Sequence, residues 1–376
     1  MKHFLLLLLC CVLFNFNAVS QQRARDLGIK PGVLPPGTKN SITDVAGVKV
    51  GHTTLIKGDS IRTGVTAILP HDQNIFQQKV PAAVFVGNGF GKLAGTTQIE
   101  ELGNIETPII LTNTLNVATG INAVISYVLN QEGNKDVRSV NAVVGETNDG
   151  YLNYIRGQHV KTEDIISALE NAGSDVMEGN VGAGTGTICF GFKGGIGTAS
   201  RKLPESLGGY TIGVLVQTNF GGNLQIDGAP VGEEMGQFSF SDRIMNSADG
   251  SCMIVVATDA PLDSRNLKRL AKRAILGLAK TGGIESNGSG DYVIAFSTSE
   301  QNRIPYKTDF NLQERTLVPN DLMSPIFMGA IEATEEAILN SLFMAETMTG
   351  YKKRTIKGIP LEKVLPILKK YNVIKE

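Results

Sequence analysis

The chain has 376 residues, of which 42% are hydrophobic and 19% charged. That composition can fill a large core and argues against intrinsic disorder. A formal net charge of −1 argues against a nucleic-acid footprint and against a strongly basic membrane-facing surface. The 43 glycines have no three-residue period, so they mark tight turns and close backbone approaches rather than a collagen-like rod.

In chain order, Lys2 and His3 precede an apolar run from Phe4 to Phe14, and Ala18-Val19-Ser20 supplies small residues where a leader is cut. The run is shorter than the ~20 residues of a spanning helix. Residues 1–20 are therefore expected to be a signal peptide, leaving 21–376 as one exported domain with no membrane association after cleavage. The mature chain keeps two cysteines, Cys189 and Cys252, both in apolar runs. Buried free thiols are expected, and an exported chain poor in disulfides fits a periplasm-like compartment.

Residues 21–40 are polar and rich in Pro and Gly, the composition of an arm over the surface. Strand patterns follow at 47–55, 63–70 and 82–86, the last breaking into a glycine-rich loop, Gly87-Asn88-Gly89-Phe90-Gly91. That loop departs from both G-x-G-x-x-G and P-loop spacing, so no nucleotide is expected. A strand at 108–114 leads to a helix at about 117–132, and a strand at 141–145 ends in Glu146-Thr147-Asn148-Asp149. Thr162-Glu163-Asp164 caps a helix to about 172. Glycine-rich segments at 179–187 and 194–197 precede a strand at 210–216, which ends at Gln217-Thr218-Asn219. Residues 229–249 are polar and weakly patterned, as in a linker.

The linker runs into Asp249-Gly250-Ser251 and then six apolar residues, Cys252 to Ala257, a run suited to a strand buried on both faces. A helix follows to about Lys280, then the turn Asn287-Gly288-Ser289-Gly290-Asp291 and a strand at 292–298. A long helix is expected at 321–348, with Pro325 in its first turn, and a short one at 361–370. Doubly buried strands separated by helices predict a layered α/β protein with sheets covered by helices.

Polar groups collect at strand ends: Glu146 with Asn148 and Asp149, Asn219, Ser251, and Ser289 with Asp291. His52, His71 and His159 lie in no paired motif and are expected on the surface, which leaves a Ser-His-Asp triad unsupported. No H-E-x-x-H or C-x-x-C occurs, so no metal is expected. A serine nucleophile then needs another base. If Ser251 attacks the Gly250 carbonyl and water cuts the resulting ester, Ser251 becomes N-terminal. Its own amine, with an ordinary pKa of about 7.7–8.0, lies beside the hydroxyl. Asp291 can polarise Ser289, Ser289 can reach Ser251, the Asn219 amide can steady an oxyanion, and Glu146 can pair with a substrate amine. The plain alternative is that Gly250-Ser251 and Asn287–Asp291 are turns, and that Glu146 and Asp149 end a solvated strand.

At these residues the chain resembles the DmpA/BapA family, the L-aminopeptidase/D-esterases and β-peptidyl aminopeptidases, which are self-processing serine peptidases. The matching segments are Ser41–His52, Arg62–Thr66, Gly87–Gly91, Thr218–Gly221, Gly250-Ser251 and Asn287–Asp291. The resemblance implies a four-layer αββα sandwich, similar to the Ntn hydrolases but differently connected. It implies self-cleavage between Gly250 and Ser251 into 21–250 and 251–376, with attack by Ser251, support from Ser289 and Asp291, and the oxyanion held by Asn219. The family often carries Glu at the position of Asp291. Tyr151 is the tyrosine nearest in sequence to Glu146, in a stretch where some members carry one.

The expectation is an exported serine aminopeptidase or amidase without cofactor. It would act on short peptides, aminoacyl amides or esters and assemble as a homo-oligomer of processed pairs. The alternatives are an acyltransferase of the ornithine acetyltransferase type and a non-catalytic periplasmic binding protein on the same fold.

Overall fold

The computed structural model describes residues 21–241, 250–307 and 312–375. The expected signal peptide and residues 242–249 of the expected linker lie outside the described residues. In chain order the strands of the first half are β1 (Lys49–Lys57), β2 (Ile61–Leu69), β3 (Gln78–Gly89), β4 (Leu93–Ala94), β5 (Asn104–Ile105), β6 (Ile109–Asn113) and β7 (Val143–Thr147). Next come β8 (Ile188–Cys189), β9 (Phe192–Lys193), β10 (Ile196–Lys202), β11 (Thr211–Asn219), β12 (Ser251–Thr258), β13 (Gly290–Ser297) and β14 (Ile304–Pro305). The helices are α1 (Thr96–Leu102), α2 (Val117–Leu129), α3 (Thr162–Glu170), α4 (Val231–Glu234), α5 (Ser264–Lys280), α6 (Met323–Phe343) and α7 (Leu361–Lys370).

Strand β12 sets the layering. Successive side chains of an extended chain point to opposite faces. Cys252, Ile254 and Val256 enter an apolar cluster with Leu267, Leu270 and Ala274 of α5 and Ala330 and Ala333 of α6. Met253, Val255 and Ala257 enter another with Ile109, Leu111 and Val143 of the opposite sheet. On that sheet's far side, Ile110 and Val144 meet Val124 and Val128 of α2 and Ile165 and Leu169 of α3. The order is helix, sheet, sheet, helix, the expected αββα sandwich. Each large aliphatic side chain in these layers contributes about 1.5–3 kcal/mol by leaving water.

One sheet has the order β1-β2-β6-β7-β4 and the other β10-β11-β12-β13-β3-β14, with β5 beside β3. Two neighbouring pairs are parallel, β6 with β7 and β12 with β13. The β12–β13 pair needs a crossover, and α5 supplies it. Asp263 caps α5, its Oδ1 accepting the Asn266 N–H at 2.8 Å. Pro325 lies in the first turn of α6, where its missing N–H costs nothing.

Several elements depart from the sequence reading. β3 continues through Gly87, Asn88 and Gly89, which composition reads as loop, because Asn88 and Gly89 pair with Asp291 and Gly290 of β13. The arm at 21–40 is docked rather than lying over the surface. Ala24 and Ile29 are buried, and Glu332 of α6 accepts the Val33 and Leu34 N–H groups at 2.9 and 3.0 Å. The linker does not begin at 229: Ala229 and Val231 are buried and open the single turn α4.

Candidate active site

Ser251 is the first residue of β12, held between Asn219 at the end of β11 and Gly290 at the start of β13. The strands on both sides leave it only 5% exposed. Its hydroxyl donates to the Gly250 carbonyl oxygen at 2.5 Å. The Gly290 N–H reaches the same carbonyl oxygen at 3.2 Å and the Ser251 Oγ at 3.4 Å. A hydroxyl and a backbone donor therefore converge on the peptide bond before Ser251. Only glycine fits at 250, since a Cβ there would lie 2.7 Å from Phe220 Cα and 2.9 Å from the Asn219 carbonyl oxygen.

The turn before β13 is pinned by Asn88, whose amide donates to the carbonyls of Ser286 and Asn287 at 3.0 and 3.2 Å and also to that of Ser289. Ser289 and Asp291 are each 1% exposed. Desolvation pushes the Asp291 carboxyl up to about 6; the Ser289 hydroxyl and the Cys252 N–H oppose the shift and the Glu285 carboxylate adds to it. The two side chains stop short of a closed hydrogen bond, for Ser289 Oγ and both Asp291 oxygens have no partner. Glu285 Oε1, equally without a partner, fills the space that Gly87 leaves. Four orphan oxygens thus collect beside the start of β12, a costly arrangement in a buried site.

Asn219 is 8% exposed, and its Oδ1 accepts the Ile188 N–H at 2.9 Å. Glu146, at the C-terminal end of β7, accepts the Lys92 N–H at 3.1 Å and the Thr114 hydroxyl. The Lys92 ammonium is 3.9 Å away, and burial raises the Glu146 carboxyl above its ordinary value. Glu146 belongs to the same region as Ser251 through one residue. A Cβ on Gly91 would touch Glu146 Oε1 at 3.3 Å and the Tyr292 hydroxyl at 3.2 Å, and one on Gly290 would touch Gly91 Cα at 3.1 Å.

The structure thus brings together Ser251, Asn219, Ser289 and Asp291, with Glu146 nearby. Asn148 and Asp149 face elsewhere. Asn148 closes a turn onto the Gly150 N–H, and Asp149 is buried against Asn153 and pushed up to about 7 by desolvation. Two histidines expected on the surface are enclosed: His71 is buried, and His52 pairs with Thr66 Oγ1 at 3.0 Å, burial lowering it to about 4. Among the described residues, no group of His, Cys, Asp and Glu is placed to hold a metal.

The sequence reading missed the Gly290 N–H, Thr114, Tyr292 and Glu285. A backbone donor carries no residue-type signal, but Thr114 follows the last residue of β6 directly, the kind of strand end that marked the others. Tyr292, not Tyr151, is the tyrosine beside Glu146; the Tyr151 ring lies under the Arg354 guanidinium.

The model of peptidase family S58 matches residues 40–356. The chain belongs to peptidase family S58. It is 44% identical to a β-peptidyl aminopeptidase BapA of Sphingosinicella microcystinivorans, over 93% of this chain and 92% of the relative. Among solved structures, a β-aminopeptidase of Burkholderia sp. superposes with a TM-score of 0.86 at 40% identity, covering 93% of this S58 chain and 99% of the other. The L-aminopeptidase D-Ala-esterase/amidase of Ochrobactrum anthropi superposes equally well, TM-score 0.86, at 38% identity over 94% and 99% of the two chains. That structure is described as a prototype for the serine aminopeptidases and as a new variant of the Ntn hydrolase fold.

Proposed function

We propose that this S58 serine aminopeptidase activates itself by cutting the Gly250–Ser251 bond, and then uses the freed Ser251 to release N-terminal residues from short peptides, amides or esters. The observation that carries the reading is the convergence on the Gly250 carbonyl of the Ser251 hydroxyl, at 2.5 Å, and the Gly290 N–H, at 3.2 Å. The hydroxyl oxygen attacks the Gly250 carbonyl carbon while the Gly290 N–H stabilises the developing oxyanion. The C–N bond breaks, its nitrogen takes the proton, and an ester remains. Water hydrolyses the ester, leaving a Gly250 carboxylate and a Ser251 that carries both hydroxyl and amine.

The orphan oxygens of Ser289, Asp291 and Glu285 favour the same sequence of events. None of them completes a hydrogen bond in the uncut chain, and the new Ser251 ammonium supplies N–H groups and positive charge. In turnover the neutral amine takes the hydroxyl proton and returns it to the leaving amine. Asn219 presents its amide NH2 to the oxyanion, since its Oδ1 is already engaged by Ile188. Glu146 reads the free amine of the substrate, which restricts the enzyme to chain ends. The leader at 1–20 directs the protein to the periplasm, and processed pairs assemble as a homo-oligomer.

Ser251→Ala tests the reading. The variant is expected to stay one chain and to hydrolyse no aminoacyl p-nitroanilide, while folding as the parent does by circular dichroism. Turnover at the parent rate would rule out Ser251 as the nucleophile.

A further inference from the structure

The short hairpin of β8 and β9 abuts the end of β11 and touches the site only through the Ile188 N–H on Asn219. Its tip turns at Phe190 and Gly191, both at positive φ, +51° and +77°. Its first rung pairs Ile188 with Lys193. Lys193 is fully buried, and its ammonium donates to the carbonyls of Gly184 at 2.9 Å and Gly194 at 2.7 Å. Those bonds draw together the two chain segments that enter and leave the hairpin. The hairpin in turn grips the end of β11: the Ile188 N–H holds Asn219 Oδ1 at 2.9 Å, and the Phe190 N–H holds the Phe220 carbonyl at 2.8 Å.

We infer that Lys193 is a positioning residue for the Asn219 amide: by locking the Ile188 rung it fixes Asn219 Oδ1 and leaves the NH2 turned to the oxyanion. The inference rests on reading Asn219 as the oxyanion donor. A carboxamide has a donor end and an acceptor end, and a half-turn about its last torsion exchanges them. Once released from the Ile188 N–H, Asn219 can present its oxygen to the developing negative charge, which opposes reaction. The loss falls on the transition state and not on the bound substrate. Burial lowers Lys193 to about 7, with Cys189 and Asp149 the titratable groups that face it. Its neutral amine still has two N–H groups for two carbonyls, so the clamp holds in either protonation state.

The test is a double-mutant cycle on Lys193→Met and Asn219→Ala, read as kcat and KM per active site for an aminoacyl p-nitroanilide. Asn219→Ala alone is expected to lower kcat by about 10²–10³. Lys193→Met is expected to lower it by about 10–100-fold, with KM within about twofold of the parent. The double variant should be no slower than Asn219→Ala, because the lysine acts only through the asparagine. Losses that multiply in the double variant, or a Lys193→Met enzyme at full rate, would overturn the inference. Parent rates in Asn219→Ala would instead remove the reading of Asn219, and this inference with it. Should Lys193→Met fail to fold, Ile188→Pro removes the holding N–H directly and carries the same expected outcome.

Discussion

Both carboxylate oxygens of Asp291 are buried without a hydrogen-bond partner, and desolvation pushes the group up to about 6. In an unfolded chain an aspartate ionises near 3.9. The folded, uncut chain therefore binds this proton more tightly than the unfolded chain does. Stability from the group is full below about pH 4 and is lost as pH rises through about 6. Asp291→Asn, made in the uncut Ser251→Ala background, should raise the melting temperature at pH 8 by the equivalent of about 1–3 kcal/mol and have almost no effect at pH 4. Thermal melts at the two pH values check this, and an equal shift at both would contradict the assigned burial. In the processed protein the sign reverses on the proposed reading, because the Ser251 ammonium then meets an amide where it had a carboxylate. Residue types at this scale were legible. Ser251, Ser289, Asp291 and Asn219 are polar groups at the ends of apolar runs, and the fold gathers them. The Gly290 N–H was not legible, because every residue except proline carries the same donor.

At the scale of elements, β11, β12 and β13 meet in a register that sets Asn219, Ser251 and Gly290 side by side. Gly250 must pass close to Phe220 to enter that register. On the proposed reading, Gly250→Ala should slow self-cleavage by about tenfold or more, because a Cβ pushes the Gly250 carbonyl off the Ser251 hydroxyl and the Gly290 N–H. A time course of refolded precursor on a gel checks it; cleavage at the parent rate would mean that the observed approach is not the reactive one. Element type was legible where periodicity is local. The α7 helix at 361–370, the doubly buried β12 and the first-turn Pro325 of α6 follow from spacing alone. The extension of β3 through Gly87–Gly89 was not legible, because its pairing partners lie about two hundred residues downstream. The docked arm was missed for a similar reason: its backbone donors are received by Glu332, about three hundred residues downstream.

For the whole molecule, the arm, β10 and α6 are tied by charges taken out of water. Arg201 is fully buried, pairing with Glu332 at 3.0 Å and Glu336 at 2.9 Å and donating to the Pro31 carbonyl at 2.7 Å. Arg25 reaches Glu336 from the arm at 2.8 Å. Arg201→Ala removes the buried cation shared by two buried carboxylates, leaving Glu336 to Arg25 and Glu332 to the Val33 and Leu34 N–H groups, and should cost about 3 kcal/mol. Denaturant unfolding of the Ser251→Ala form measures it, and a loss below about 1 kcal/mol would show the cluster to be solvated. This network and the αββα layers surround a site whose geometry converges on one peptide bond. The central claim is that the mature protein is two chains joined by that fold, and terminal sequencing of the purified protein with intact-mass measurement tests it most directly. The account predicts a smaller chain that begins Ser-Cys-Met-Ile. A fully active protein that remains one unbroken chain, or a cut at any other bond, would contradict it.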